Sequence, residues 1–278
     1  MTTALVDPIA PGAAELAAAG GISILDSSAK CELCGEWNDG PRAELRAWAR
    51  QHARQAHDAL RPSVLGLDLS LTRAGIAIET LVPDGGQGTA WPSLLTHCGE
   101  AGHQNATYDE RGQRLVRQAK AIMRIVDAAR RAGADIRLGV VEGPSYGQSS
   151  MPSYYDRAGL WWSVITSLQA RGIPFAVATP DHRAKFICGV KPPMGKDRDR
   201  AKRLVCDETR SRFKVDSGRG TDHGAAVARM MTRLNADQAD ALGLADMGVV
   251  QLGWPTPWRK GRRHVENVAL TTWPEVSA

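Results

Sequence analysis

No stretch of this 278-residue chain approaches the roughly 18 consecutive apolar residues of a membrane-spanning helix, although 43% of its residues are hydrophobic. The composition argues against a helical membrane protein and leaves ample material for a core. The opening residues, MTTALVDPIAPGAAELAAAGG, lack the basic and compact apolar regions of a secretory signal. A disordered leader over 1–26 is expected instead. Cysteines number five, an odd count that pairs badly as a disulfide framework. Cys98, Cys188 and Cys206 are scattered and read as reduced packing residues, which points to a reducing, cytoplasmic compartment. There is no internal repeat. The net charge is a modest +5, but it is unevenly spread. Residues 183–219 hold 12 Lys/Arg against 5 Asp/Glu, and RKGRRH at 259–264 adds more positive charge. The remainder is acidic overall. A basic stretch on an acidic chain suits either a polyanionic partner or a solvated face.

The hydrophobic pattern is that of an α/β protein. VLGLDLS and GIAIETLV read as a strand hairpin, and WPSLLTHCGEA holds a candidate third strand. Residues 107–132 carry apolar positions at helical spacing and end at Gly133. RLGVVEG is a buried strand, 157–171 a helix, IPFAVATP a strand and 180–188 a short helix. A helix is expected from about 197 to 211 and another over 236–247. A hairpin followed by alternating helices and strands predicts a mixed sheet flanked by helices. The tail, 253–278, is basic and rich in Pro and Trp, and is expected to be irregular.

Three acidic features stand out. Asp68 interrupts an apolar strand, where an unpartnered carboxylate is costly. Glu142 ends the apolar strand LGVVE. Asp237 and Asp240 lie three apart in the first turn of a helix, on one face. Each has a plain structural alternative: backbone donors for Asp68, an ion pair for Glu142, a helix cap for Asp237. Together they suggest a site for hard divalent cations, because four close carboxylates repel and raise one another's pKa. Two such ions can support phosphodiester displacement.

GLDLSLTRAGIA, VVEGPSYG and DQADALGLA, in that order, resemble the RuvC-like Holliday-junction resolvases of the ribonuclease H-like superfamily, most closely versions encoded by bacteriophages. The resemblance covers roughly 62–252. It implies a ribonuclease H-like mixed sheet, a homodimer, branched DNA as partner, and nicking that depends on two Mg²⁺ ions or on Mn²⁺ in their place. Asp68, Glu142, Asp237 and Asp240 match the family's catalytic, metal-binding carboxylates. VATPDHRAKFICG and GKDRDRAKRLV resemble its DNA-facing segment, so Lys185, Lys196, Arg198, Lys202 and Arg203 become candidate phosphate contacts. A phage-encoded chain would act in the host cytoplasm. The stretch from Ser211 to Asn235 is longer than the family needs. Nucleases of this fold that act on flaps, forks or RNA–DNA hybrids remain alternatives, as does a non-catalytic DNA-binding protein.

A separate small unit is expected at 27–61. Cys31-x2-Cys34, then 17 residues, then His52-x4-His57 has the order of a structural Cys2His2 zinc site. A surface CxxC with two unrelated histidines is the alternative. Arg42, Arg46, Arg50 and Arg54 follow at four-residue steps, suited to phosphates or to protein docking.

Overall fold

A computed structural model of the chain describes residues 22–24, 27–31, 37–41, 43–48, 60–83, 88–103, 105–144, 153–189, 198–214 and 222–276. It divides into two compact units. One comprises residues 1–60 with 125–134, the other 61–124 with 135–278.

In the first unit, β1 (Ile22–Ile24), β2 (Ser28–Cys31) and β3 (Trp37–Asp39) form an antiparallel sheet in that order. β1 falls within the stretch expected to be a disordered leader; its alternation of Ile and Ser suits a short strand paired on one edge. Residues 43–48 are helical, with Leu45 buried. Cys34, His52 and His57 lie outside the described residues. Only the backbone of Cys31, at the end of β2, is described.

The second unit contains a five-stranded mixed sheet with helices packed on it. Its strands are β4 (Arg61–Asp68), β5 (Ala74–Val82), β6 (Thr89–Cys98), β7 (Ala134–Glu142) and β8 (Phe175–Ala178), in the order β6-β5-β4-β7-β8. β4, β5 and β6 form an antiparallel meander, while β7 and β8 are parallel. This is the α/β arrangement expected from the sequence. Central β4 is buried from Ser63 to Asp68, which explains its unbroken apolar reading. Its one buried hydroxyl, Ser63, is satisfied within the sheet: it shares a 3.0 Å hydrogen bond with Thr80, which in turn meets Ser93 at 2.8 Å.

The helices are α1 (Tyr108–Arg131), α2 (Tyr154–Ala170), α3 (Pro180–Cys188), α4 (Arg198–Arg212), α5 (Asp222–Thr232), α6 (Ala236–Gln251) and α7 (Arg262–Val268). Among the described residues no helix is long and apolar enough to cross a membrane. α5 occupies much of the 211–235 stretch and packs Val227 and Met231 into the core. The tail differs from expectation too. It carries α7 and buries Trp258, His264 and Val268.

A buried ionic group anchors that tail. Arg212 Nη1 lies 3.0 Å from Asp246 Oδ2, and Arg212 Nη2 donates to the carbonyls of Phe186 (2.7 Å) and Ile187 (2.8 Å). Its guanidinium stacks over the rings of Phe186 and Trp258. Trp258 Nε1 donates to the other Asp246 oxygen at 3.1 Å. The irregular sequence of the tail therefore hides a tertiary lock that no local pattern announces.

α6 reaches the sheet through two glycines. A Cβ on Gly66 would overlap the carbonyl oxygen of Ala241 and lie 2.7 Å from the amide of Ala245. A Cβ on Gly75 would overlap the carbonyl of Asp237. Small residues on both surfaces thus allow backbone-to-backbone approach, and Gly75 is the register partner of Asp68. Gly75→Ala should force α6 away from the strand end. We expect a stability loss of roughly 1–3 kcal/mol, typical of overpacking, measurable by urea unfolding. A stability equal to wild type would show that α6 is free to shift.

Candidate functional site

The site is assembled from three elements. β4 and β7 end at Asp68 and Glu142, and the N-terminal part of α6 brings in Asp237 from its first turn and Asp240 just after it. The start of α6 is set by Asn235, whose side chain accepts from the amide of Gln238 at 3.0 Å, while Gln238 Oε1 accepts from the amide of Asn235 at 3.1 Å. This capping box means that Asp237 is not the cap, and both aspartates are available to the site.

The carboxylates lie in a poorly hydrated environment. Asp68 is 8% exposed. Burial first, and then the charge of Glu142, push it well above the usual carboxylate range, with Asp240 and Asp237 acting in the same direction and Arg183 opposing. Glu142 and Asp240 are also raised, chiefly by burial and against the pull of Arg183. The structure thus brings Asp68, Glu142, Asp237 and Asp240 within electrostatic reach of one another.

A residue not singled out from the sequence sits among them. Arg183, on α3, places Nη1 2.7 Å from Asp240 Oδ2 and 3.0 Å from Glu142 Oε2. Burial alone would lower its pKa, but Glu142, Asp240 and Asp68 outweigh that and hold it charged. Arg73, from the turn after β4, approaches Asp237 at 3.7 Å. α3 is fixed at its start by Thr179, whose hydroxyl accepts from the amide of His182, and at its end by left-handed Gly189. A signal for Arg183 existed in helical phase: it lies four residues before buried Ile187, on the inward stripe. The surrounding run of basic residues masked it.

Among the described residues no three carboxylate, imidazole or thiol groups converge closely enough to ligate one ion as they stand. Arg183 lies between two of the carboxylates. The donor set nevertheless fits a hard divalent cation: it is all oxygen and half-buried or buried, and Glu142 Oε2 has no aligned hydrogen-bond donor.

Of the candidate phosphate contacts, Lys202 and Arg203 are exposed on α4, and the charge of Lys202 reaches Asp240. Lys185 is half-buried on α3. Arg198 begins α4 with only its backbone described, and Lys196 lies outside the described residues.

No protein-family model matches the chain, and no curated protein matches its sequence. Solved structures do match. RuvC of Thermus thermophilus is 16% identical, covering 67% of this chain and 96% of its own, with a TM-score of 0.38. The fowlpox virus resolvase, solved with Holliday junction DNA, is 12% identical over 68% of this chain and 98% of its own, with a TM-score of 0.41. The yeast mitochondrial Holliday junction resolvase is 14% identical over 86% of this chain and 92% of its own, with a TM-score of 0.37. Likenesses this loose leave function to be argued from the carboxylates and their surroundings.

Proposed function

We propose that the chain is a divalent-metal-dependent endonuclease that nicks four-way DNA junctions, acting as a homodimer with one carboxylate site per subunit. The observation that carries this reading is the gathering of Asp68, Glu142, Asp237 and Asp240 from two strand ends and one helix. Four carboxylates within electrostatic reach of one another have no benefit to a protein that only binds DNA, because negative charge there repels phosphate. These residues would hold Mg²⁺ or Mn²⁺, which when bound supplies Lewis acidity and charge neutralisation for phosphodiester hydrolysis. Exposed Lys202 and Arg203 on the neighbouring helix would seat the DNA backbone, giving shape-directed binding that weakens with salt. Cys31, Cys34, His52 and His57 are proposed to hold a structural Zn²⁺ that stabilises a unit too small for a large core of its own.

The test is nicking of a labelled four-way junction beside a flap, a fork, a linear duplex and an RNA–DNA hybrid, with Mg²⁺ and with EDTA. Paired symmetric nicks in the junction, absent in EDTA, are the expected result. Preferential cleavage of another substrate would reassign the specificity, and binding without cleavage under any divalent ion would reject the enzyme.

A further inference from the structure

Arg183 is held differently from Arg111 and Arg212. Arg111 grips Asp156 with a fork, Nε and Nη2 donating at 3.0 and 2.7 Å. Arg212 donates to one carboxylate and two carbonyls. Such satisfied geometry is what a structural guanidinium normally achieves when buried. The side chain of Arg183 is only 11% exposed, yet its Nε and Nη1 lack aligned hydrogen-bond acceptors, as Glu142 Oε2 lacks an aligned donor. It meets both carboxylates through one nitrogen, Nη1, at 3.0 Å from Glu142 and 2.7 Å from Asp240, where Arg111 gives its carboxylate a two-pronged fork. Its position between a carboxylate of β7 and a carboxylate of α6 is one that an ion shared by those two groups would also claim.

We propose that Arg183 is a resident counter-cation of the carboxylate group, bridging Glu142 and Asp240 in the metal-free protein and leaving them when a divalent cation binds. Metal loading is then an exchange of a guanidinium for the ion. The inference rests on the metal-dependent reading above and adds a competitor to it. Two consequences follow from electrostatics. Without Arg183 the metal-free carboxylates lose their internal cation and repel. The ion, in turn, no longer has to displace a bound charge.

The experiment is Mn²⁺ titration of the full chain by calorimetry for wild type, Arg183→Gln and Arg183→Lys, with melting temperatures recorded with and without Mn²⁺. Arg183→Gln should bind Mn²⁺ roughly tenfold more tightly or better, and Mn²⁺ should raise its melting temperature more than that of wild type. Arg183→Lys keeps a competing charge and should bind nearer to wild type. Equal or weaker binding by Arg183→Gln would overturn the exchange. Should that variant fail to fold without metal, arginine side-chain NMR of the wild type decides. An Arg183 Nε–H signal that shifts and exchanges faster on Mg²⁺ addition supports displacement, and an unchanged signal rejects it. Junction cleavage is scored separately on the same samples. Exchange without cleavage would overturn the nuclease and leave the counter-cation standing, whereas absence of Mn²⁺ binding in both wild type and Arg183→Gln would overturn both.

Discussion

Asp68→Asn is expected to lower junction cleavage by about three orders of magnitude while making the metal-free protein more stable. The two effects have one origin. Asp68 lies at the buried end of a central strand, next to Glu142 and within reach of Asp240 and Asp237. Ionising it there works against burial and against like charges. Asparagine has nearly the same shape and no charge to desolvate, so in EDTA its melting temperature should exceed that of wild type. For a domain of this size each kcal/mol corresponds to roughly 2–4 °C. The cost to function follows from the same substitution. Asn offers one neutral carbonyl oxygen where a hard cation prefers an anionic ligand. Loss of several kcal/mol of transition-state stabilisation is on the order of a thousandfold in rate. Cleavage rates in Mg²⁺ and thermal melts in EDTA check the pair. Wild-type cleavage by the variant would remove Asp68 from the site, and a lowered melting temperature would show that the carboxylate is well compensated without metal.

Arg212→Met is expected to be the most damaging substitution in the core, costing about 3–5 kcal/mol, the usual penalty for leaving one half of a buried ion pair behind. Methionine replaces the stem but not the fork. Asp246 loses its ion-pair partner, the carbonyls of Phe186 and Ile187 lose a donor, and the stack between Phe186 and Trp258 loses its cation. Glu79, fully buried nearby, is already held well above its ordinary pKa by burial and then by Asp246. Against a typical total stability of roughly 5–15 kcal/mol the loss is large. It should also depend on pH. Burial raises Asp246 to about 6 against the pull of Arg212, from an ordinary value of 3.8. A carboxyl raised in the folded state contributes most stability below its unfolded value, and that contribution is lost as pH rises through the folded value. Protonated Asp246 needs no guanidinium, so the penalty of Arg212→Met should shrink from pH 7.5 towards pH 4. His264 reinforces the trend. Burial, then Arg212 and Arg263, lower its pKa to about 4; without Arg212 it takes up a proton more readily. Urea unfolding at both pH values is the measurement. Arg212→Met combined with Asp246→Asn should recover part of the loss, because the stranded charge is gone. A penalty below about 1 kcal/mol at neutral pH would mean that the cluster is solvated.

Most elements of the sheet unit were legible because their signals are local. Buried β4 and β7 read as apolar runs, and α3 could be placed from Pro180 to Cys188 by its Pro start and Gly stop. Asp68 stood out for the opposite reason: a charge inside an apolar run is costly unless something compensates it. α5 and the ordered tail were not legible. The α5 segment opens within SGRGTDHG, a Gly-rich polar stretch that reads as a loop, and the burial of Trp258 and His264 depends on partners contributed by α3, α4 and α6.

The sequence by itself determined the α/β alternation and the mixed sheet, which follow from periodicity, and it offered four carboxylates as candidates through the cost of burying charge and a family resemblance. Only the tertiary structure decided that Arg183, one of many basic residues in its stretch, is the cation among those carboxylates. Only it decided that Gly66 and Gly75 admit α6 to the strand ends, and that Arg212 locks the tail. The physical reason is common to all three. Electrostatic pairing and close backbone approach act through space over a few ångströms, between residues far apart in the chain, and local pattern carries no record of which of several equivalent arginines or glycines will be the neighbour.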